Sequence, residues 1–172
     1  MSFLDRIFSR KPDPREAMRP LWLRVVEIGR EEDWYAKRSV ADTVGGRFDM
    51  ITAVLALTVV RMEHEGDMGG EIAWLTELFV EDMDGQLREF GINDVVVGKH
   101  VGKLMSSLGG RMGAYRDAIA SGDEAQLTEA AARNIALLDD AEPAALGSGL
   151  AKLSRDLAAT PREALLNGEI AR

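Results

Sequence analysis

The stretch FVEDMDGQLREFGIND concentrates acidic residues around Asp82-x-Asp84-Gly85. Oxygen ligands at this spacing are typical of a calcium-binding loop. If Gly85 were the sixth position of such a loop, Val80 and Gly91 would be its first and twelfth positions, and neither has a ligand side chain. We therefore interpret the acidic residues as the solvent-facing side of a helix, and we predict no metal site.

Other residues that support metal binding or catalysis are few. The chain has no cysteine and two histidines, His64 and His100, and neither has a second histidine four residues away. Carboxylate catalysis requires two acids whose pKa values are pulled apart in one cleft, and nothing in the sequence places two aspartates in one pocket. Serine-nucleophile and phosphate-binding motifs are also absent. The sequence therefore favours a protein that is not an enzyme.

Composition and charge limit the class of protein further. The chain has 172 residues, of which 46% are hydrophobic and 29% charged, as expected for one globular domain. Its net charge of −8 makes DNA an unfavourable partner. Charged residues interrupt the apolar N-terminus, and the uncharged apolar run 50–60 is shorter than a membrane-spanning helix. We expect a soluble, cytoplasmic protein with one helical domain over residues 12–172.

Hydrophobic spacing predicts an all-α bundle of about six to seven helices. The sequence MITAVLALTVVRM, residues 50–62, is apolar on nearly every side and predicts a buried central helix. Further stripes predict helices over residues 127–138 and 146–157. In the acidic stretch, apolar residues recur at gaps of three and four and predict one amphipathic helix. Its buried stripe is predicted to comprise Ile72, Leu75, Phe79, Met83, Leu87 and Phe90.

The helix after the acidic stretch has two unlike sides. One side is predicted to bury apolar residues from Val97 to Ile119, Met105 among them. Each glycine within a helix costs about 1 kcal/mol relative to alanine. Several glycines on one side therefore indicate either a close approach to the backbone or a locally loose helix. These glycines are Gly98, Gly102, Gly109 and Gly113.

Residues 1–11 form a basic amphipathic segment ahead of the domain. Such a segment either lies on a membrane surface or docks on the body of the protein, and both alternatives remain open. The residues of this candidate membrane-surface segment are Phe3, Leu4, Arg6, Ile7, Phe8 and Arg10.

Two groups of charged residues are candidates for binding a partner protein. Opposite charges on the acidic helix and on the next helix can orient a docking partner, although such charges can also be merely solvated. Charges at the entry to the central helix are costly unless paired, so they either hold the turn together or contact a partner. The candidates are Asp42, Arg47, Asp49, Asp82, Asp84, Arg88, Glu89, Lys99 and Lys103.

Three stretches carry a family resemblance: DTVGGRFDM, LFVEDMDGQLREFGINDVVVGKHVGKL and GRMGAY. They resemble the ubiquinol–cytochrome c chaperone family in its compact bacterial form, within a similarity over roughly residues 12–140. The positions shared with the family are Asp42, Thr43, Gly46, Arg47, Phe48, Asp49, Asp82, Met83, Asp84, Leu87, Arg88, Glu89, Gly91, Gly98, Lys99 and Tyr115. The glycines at 102, 109 and 113 depart from the bulkier or charged residues of relatives.

This resemblance implies a non-enzymatic helical chaperone without a cofactor. Its implied client is newly made cytochrome b of the cytochrome bc complex, respiratory complex III. Mitochondrial relatives act with a small partner protein near the ribosomal tunnel exit. The resemblance therefore also implies a small partner protein and the ribosome as partners. The implied location is the inner face of the cytoplasmic membrane, as a peripheral protein. The alternative is a small helical carrier of haem or quinone, or an enzyme of unknown reaction, although no histidine lies on an apolar stripe to hold haem.

Overall fold

The computed structural model describes residues 13–89 and 94–172, with only the backbone of residues 86–89, 94–101, 103 and 104. Regular structure in these ranges is helical, and one isolated bridge joins Val40 to Leu137. None of the described helices has both the length and the apolar character needed to cross a membrane. The all-α prediction is confirmed. The elements are a 3₁₀ helix Pro14–Met18, α1 Arg19–Gly29, α2 Glu32–Ala36, α3 Val44–Glu63, α4 Gly69–Glu89, α5 Asp94–Ser121, α6 Glu124–Asn134, α7 Pro143–Ala159 and α8 Arg162–Leu166.

Helix α3 is the buried centre of the bundle, as predicted. It contacts α1, α4, α5 and α7, and every residue from 50 to 60 is buried. Its two buried threonines are satisfied inside the helix, since Thr52 and Thr58 donate their hydroxyls to the carbonyls four residues earlier, at 2.8 Å each. The two threonines therefore add no unpaired hydroxyl to the apolar surface that α3 buries.

Helix α4 separates core from solvent as its periodicity predicts. Leu75, Phe79 and Met83 are buried, while Ile72 is half-buried. The Phe79 ring lies 6.0 Å from the Trp22 ring of α1, measured between centroids. The predicted stripe is confirmed for these residues. Its last two members, at positions 87 and 90, lie outside the described side chains.

The predicted helix over residues 127–138 is wrong at its C-terminal end. Helix α6 stops at Asn134, and Ile135 is extended, with φ −123° and ψ 129°. The next residues pair with a distant segment, because Ala41 N–H donates to Ala136 O and Leu138 N–H donates to Ser39 O, both at 2.9 Å. Tertiary pairing has replaced the helical hydrogen bonds here, and the Leu138 side chain is 54% exposed.

Candidate functional site

The turn that enters α3 is shaped by one glycine and one hydroxyl. Thr43 caps the helix, since its hydroxyl accepts a hydrogen bond from Gly46 N–H at 3.0 Å. A Cβ atom at position 46 would lie 1.9 Å from the carbonyl oxygen of Ala41. Only glycine fits this close approach of two backbone segments. The turn therefore fixes the positions of the charged residues on either side of it.

Asp49, on the first turns of α3, is an internal link between three parts of the chain. Its Oδ1 accepts from Arg111 Nη2 of α5 at 2.6 Å, and its Oδ2 accepts from Ala136 N–H at 3.1 Å. Arg111 is only 7% exposed and its guanidinium lies 5.9 Å from the centre of the Phe48 ring. Charges this buried are stable in the fold because they are paired. Asp49 thus holds α3, α5 and the segment after α6 together.

Arg47 has a different partner and lies at the surface. Its Nε donates to Asp42 Oδ1 at 2.6 Å, and both side chains are 55% exposed. The guanidinium also lies 5.8 Å from the centre of the Tyr35 ring. The hydrogen bond from Arg47 lowers the pKa of Asp42 below its ordinary value. The two charges that flank the helix entry are therefore not paired with each other, since Asp49 pairs with Arg111.

Tyr115 lies one turn after Arg111 on α5 and is fully buried. Its hydroxyl makes no hydrogen bond to any residue that the structure describes. Burial raises the pKa of Tyr115 to about 12, because the tyrosinate anion would lose its hydration. The Tyr115 ring packs in the core, whereas the burial of its hydroxyl lowers the stability of the folded protein.

A groove of about 550 Å³ runs beside α4, between the 3₁₀ helix and α5. Its apolar surface includes Val80 and Met105. Met105 was predicted to be buried, and this prediction is wrong, since the side chain is 40% exposed in the groove. Three carboxylates of α4 line the same groove: Glu77, Glu81 and Asp84. An open groove with apolar and acidic surfaces is suited to a basic amphipathic segment.

Arg15 closes one end of this groove. It donates to Glu81 Oε2 at 2.9 Å, and its Nε lies 3.9 Å from Glu77 Oε2. Its Nη2 also pairs with Asp13 at 2.6 Å, which lowers the pKa of Asp13. The single positive charge of Arg15 is thus shared among the carboxylates of Asp13, Glu77 and Glu81. This end of the groove therefore keeps a negative charge.

A second groove, of about 470 Å³, lies on the other side of α4 against α1. Its apolar residues include Leu23, which is exposed, and Val26. Glu81 borders both grooves, and Asp82 borders the second one. The outer side of α4 is therefore an acidic ridge between two grooves, and the second groove also contains two basic residues, Arg19 and Arg30.

The structure places some predicted site residues and leaves others undescribed. Asp82 and Asp84 lie on the acidic ridge, whereas Asp42, Arg47 and Asp49 lie at the entry to α3. Two sets of candidates lie outside what the structure describes. The side chains so affected are those of Arg88, Glu89, Lys99 and Lys103, together with the N-terminal residues Phe3, Leu4, Arg6, Ile7, Phe8 and Arg10.

Sequence reasoning missed Arg15, Glu77 and Arg111. Glu77 had a usable signal, because it precedes Glu81 by one helical turn and therefore lies on the same face of the helix. Arg15 and Arg111 had none, since their partners are 66 and 62 residues away in the chain.

The glycines of α5 do not serve close packing within the described part of the chain. A Cβ atom added at Gly102, Gly109 or Gly113 would meet nothing within 4 Å. Of the two explanations of these glycines, a close approach by another described segment is therefore wrong. Gly98 lies among the residues whose side-chain surroundings are not described.

The described residues contain no group of three or more His, Cys, Asp or Glu side chains placed to hold a metal ion. The groove between the 3₁₀ helix and α5 instead presents carboxylates and apolar side chains to solvent. This chemistry fits a protein segment better than a metal ion.

Comparison with known proteins assigns the family. The family model described as ubiquinol-cytochrome C chaperone matches residues 36–172. A crystal structure of the Cbp3 homolog from Brucella abortus is similar over 98% of this chain and 95% of that chain, with a TM-score of 0.76 and 31% sequence identity. No curated protein matches the chain. The resemblance in the sequence is confirmed, and the chain belongs to the ubiquinol–cytochrome c chaperone family.

Proposed function

We propose that this protein is a non-enzymatic chaperone that binds newly made cytochrome b and assists assembly of the cytochrome bc complex. Family membership supports a chaperone role in assembly of that complex. The identity of the client and the place where it binds are our proposal. The acidic ridge of α4, with the apolar and acidic groove that it forms with the 3₁₀ helix and α5, is the observation that carries it.

The chemistry of the ridge matches the chemistry of a membrane-protein client. Cytochrome b is a polytopic membrane protein, so it has apolar helices, and its cytoplasmic loops carry excess lysine and arginine. Val80 and Met105 in one groove, and Leu23 in the other, offer apolar contact to such a segment. The carboxylates between them attract its basic flanks. We therefore place the client on the Glu77–Asp84 face and extend it to Arg88 and Glu89.

Exposed carboxylates also explain how a chaperone can bind and later release the same client. The Glu77 and Glu81 side chains are 59% and 58% exposed, so their attraction for a basic loop is screened by salt and is weak per pair. Such charges orient the client and speed its capture more than they slow its release. Reversible holding is the property that an assembly chaperone requires.

Charge reversal on the ridge tests this proposal directly. In the variant Glu77→Lys/Glu81→Lys, we expect recovery of cytochrome b from detergent-solubilised source cells to fall at least about fivefold, because basic loops are repelled. The matched control is Asp139→Lys/Asp140→Lys, which changes the net charge equally at two exposed residues far along the chain.

Both variants are first checked for unchanged thermal unfolding, so that a loss of capture is not a loss of fold. Equal recovery of cytochrome b with the ridge variant and with the control would contradict the proposed client site. Recovery of mature bc complex in place of unassembled cytochrome b would contradict the early assembly role.

Further contacts and the cellular location complete the proposal. Lys99 and Lys103, with the exposed pair of Asp42 and Arg47, are proposed as secondary contacts for the client, for a small partner protein or for the ribosome. The protein is proposed to act at the inner face of the cytoplasmic membrane, where its client is inserted. The basic and apolar side chains of residues 1–11 are suited to peripheral contact with that membrane.

A further inference from the structure

Arg15 stands at the end of the acidic groove of α4, where a basic side chain of a client would pair with the groove carboxylates. Among the described residues that line this groove it is the only basic one, beside Glu77, Glu81 and Asp84. Its Nη1 donates to Glu81 Oε2 at 2.9 Å, and its Nε lies 3.9 Å from Glu77 Oε2. An arginine or lysine of a client that pairs with these carboxylates therefore competes with a cation of the chaperone itself.

A second carboxylate, outside the groove, also holds Arg15. Asp13 accepts two hydrogen bonds from Arg15 Nε, at 3.0 and 3.1 Å, and one from Nη2 at 2.6 Å. The contact with Asp13 thus uses one edge of the guanidinium, and Nη1 remains for Glu81. Bidentate pairs between arginine and a carboxylate are stronger than single contacts. Loss of the contact with Glu81 therefore leaves Arg15 anchored at Asp13.

We propose that Arg15 is an internal competitor that sets how basic a client must be to enter the acidic groove. The inference rests on the proposed function, because it concerns the same site. A basic side chain of the client displaces Arg15 from Glu81, and Asp13 keeps the displaced guanidinium beside the groove. A segment with one basic residue only replaces one ion pair by another, whereas a loop with several lysines or arginines also pairs with the remaining carboxylates.

The size of this competition follows from the exposure of the ion pair. The Arg15 and Glu81 side chains are 34% and 58% exposed, so solvent screens their attraction. An exposed pair of this kind changes a binding equilibrium by about two- to fivefold. Arg15 therefore weakens the binding of a basic segment without blocking the groove, and its effect should shrink as salt is added.

A binding titration with a defined probe measures this effect in the full-length protein. The probe is a labelled synthetic peptide of leucine and arginine, with the leucines at helical spacing, and fluorescence anisotropy at low salt gives its affinity. In Arg15→Gln, we expect the probe to bind about two- to fivefold more tightly than in the wild type, because the competing cation is gone. In Asp13→Asn, we expect it to bind about two- to fivefold more weakly, because Arg15 then pairs with the groove carboxylates alone. Asparagine caps a helix as well as aspartate does, so the 3₁₀ helix keeps its cap.

The double variant Asp13→Asn/Arg15→Gln separates competition from net charge. It has the net charge of the wild type, so the long-range attraction for the probe is unchanged. If Asp13 acts through Arg15, the double variant binds the probe more tightly than the wild type, as Arg15→Gln does. The matched control is Arg133→Gln on α6, which breaks an exposed arginine–glutamate pair and lines neither groove beside α4. It should change the affinity less than Arg15→Gln does.

Two results would overturn the proposal. Equal affinities of the wild type and the double variant would mean that net charge alone explains the single variants. A change in the same direction in Asp13→Asn and in Arg15→Gln would mean that both substitutions act by loosening the 3₁₀ helix.

The failure of this inference and the failure of the proposed function have different signatures. If Arg15→Gln binds the probe more tightly but recovers no more cytochrome b from source cells, Arg15 competes as proposed and the client binds elsewhere. If Arg15→Gln leaves the probe affinity unchanged but Glu77→Lys/Glu81→Lys still reduces capture of cytochrome b, the client site stands and Arg15 is not its competitor. Tighter binding of the probe together with higher recovery of cytochrome b supports both.

Discussion

Two segments of this protein carry carboxylates and differ in what those carboxylates contact. At the entry to α3, Asp49 points inward to a buried arginine and a backbone N–H. On α4, Glu77 and Glu81 point outward along a groove. The first segment uses charge to join distant parts of the chain, and the second leaves charge accessible to a partner. Burial therefore separates the charges that are structural from those that are candidate contacts.

The largest expected effect is that of Asp49→Ala. This substitution leaves Arg111 buried without its carboxylate, so we expect the free energy of unfolding to fall by about 3–5 kcal/mol. Urea unfolding followed by circular dichroism measures this change. The control is Asp42→Ala, which breaks an exposed pair and should leave the urea midpoint within experimental error. Similar losses in the two variants would remove the distinction between the buried and the exposed pair.

The second prediction compares two adjacent glycines of the same turn. Gly46→Ala places a Cβ atom against the Ala41 carbonyl, so we expect a loss of at least about 2 kcal/mol in the free energy of unfolding. Gly45→Ala meets nothing nearer than 3.8 Å and should instead stabilise α3 by up to about 1 kcal/mol. Thermal melts of both variants check the opposite signs. A tolerated alanine at position 46 would show that the turn has room to move.

The third prediction concerns the two tyrosines. Tyr115→Phe removes a buried hydroxyl without a described partner, so we expect a gain of about 1 kcal/mol in the free energy of unfolding at pH 7. Tyr35→Phe is the control, because the Tyr35 hydroxyl donates to Gly29 O at 2.6 Å and its removal should cost about 1 kcal/mol.

The same pair reports on alkaline stability. The pKa of Tyr115 is about 12 in the folded protein, above its ordinary value of 10.0, so the folded state favours the neutral phenol. This contribution is complete below pH 10 and is lost as the pH rises towards 12. Urea midpoints measured from pH 9 to pH 11 should therefore fall less steeply in Tyr115→Phe than in the wild type. The same pH dependence of the urea midpoint in both proteins would mean that the Tyr115 hydroxyl is hydrated in the folded state.

The smallest expected effect is at acidic pH. Arg47 lowers the pKa of Asp42, so the carboxylate stabilises the folded state above its ordinary pKa of 3.8 and loses this effect as the pH falls through the lowered value. The melting temperature of Asp42→Asn should therefore depend slightly less on pH between 5 and 3 than that of the wild type. At pH 7 the wild type should melt at most slightly higher than Asp42→Asn, because the pair is exposed. A large difference at pH 7 would place Asp42 with Asp49 among the structural charges.

Helical periodicity correctly predicted the features of the fold that depend on residues close together within one helix. The burial of Phe79 and Met83 and the outward direction of the α4 carboxylates follow from side chains three and four residues apart. The buried centre of α3 follows from an apolar run that no surface helix tolerates. For these features the local pattern and the tertiary structure agree.

Periodicity could not predict the contacts that a residue makes with a partner far away in the sequence. Arg111 has no local feature that identifies Asp49 as its partner, 62 residues away. Ile135 continues an apolar helical pattern, but its segment pairs with residues 39–41 instead. Met105 also fits the buried stripe of α5, although the described structure leaves it exposed in the groove. In each case the decisive contact lies outside any sequence window.

The pairing of residues 39–49 with the far end of the chain also has a kinetic consequence. Asp49 bonds to groups 62 and 87 residues later, so these contacts close long loops and cost loop-closure entropy. Helical hairpins form from local contacts much earlier than such loops close. Contacts made after the folding transition state slow unfolding and leave the folding rate almost unchanged. We therefore expect the contacts of the DTVGGRFD turn to affect the unfolding rate of the protein more than its folding rate.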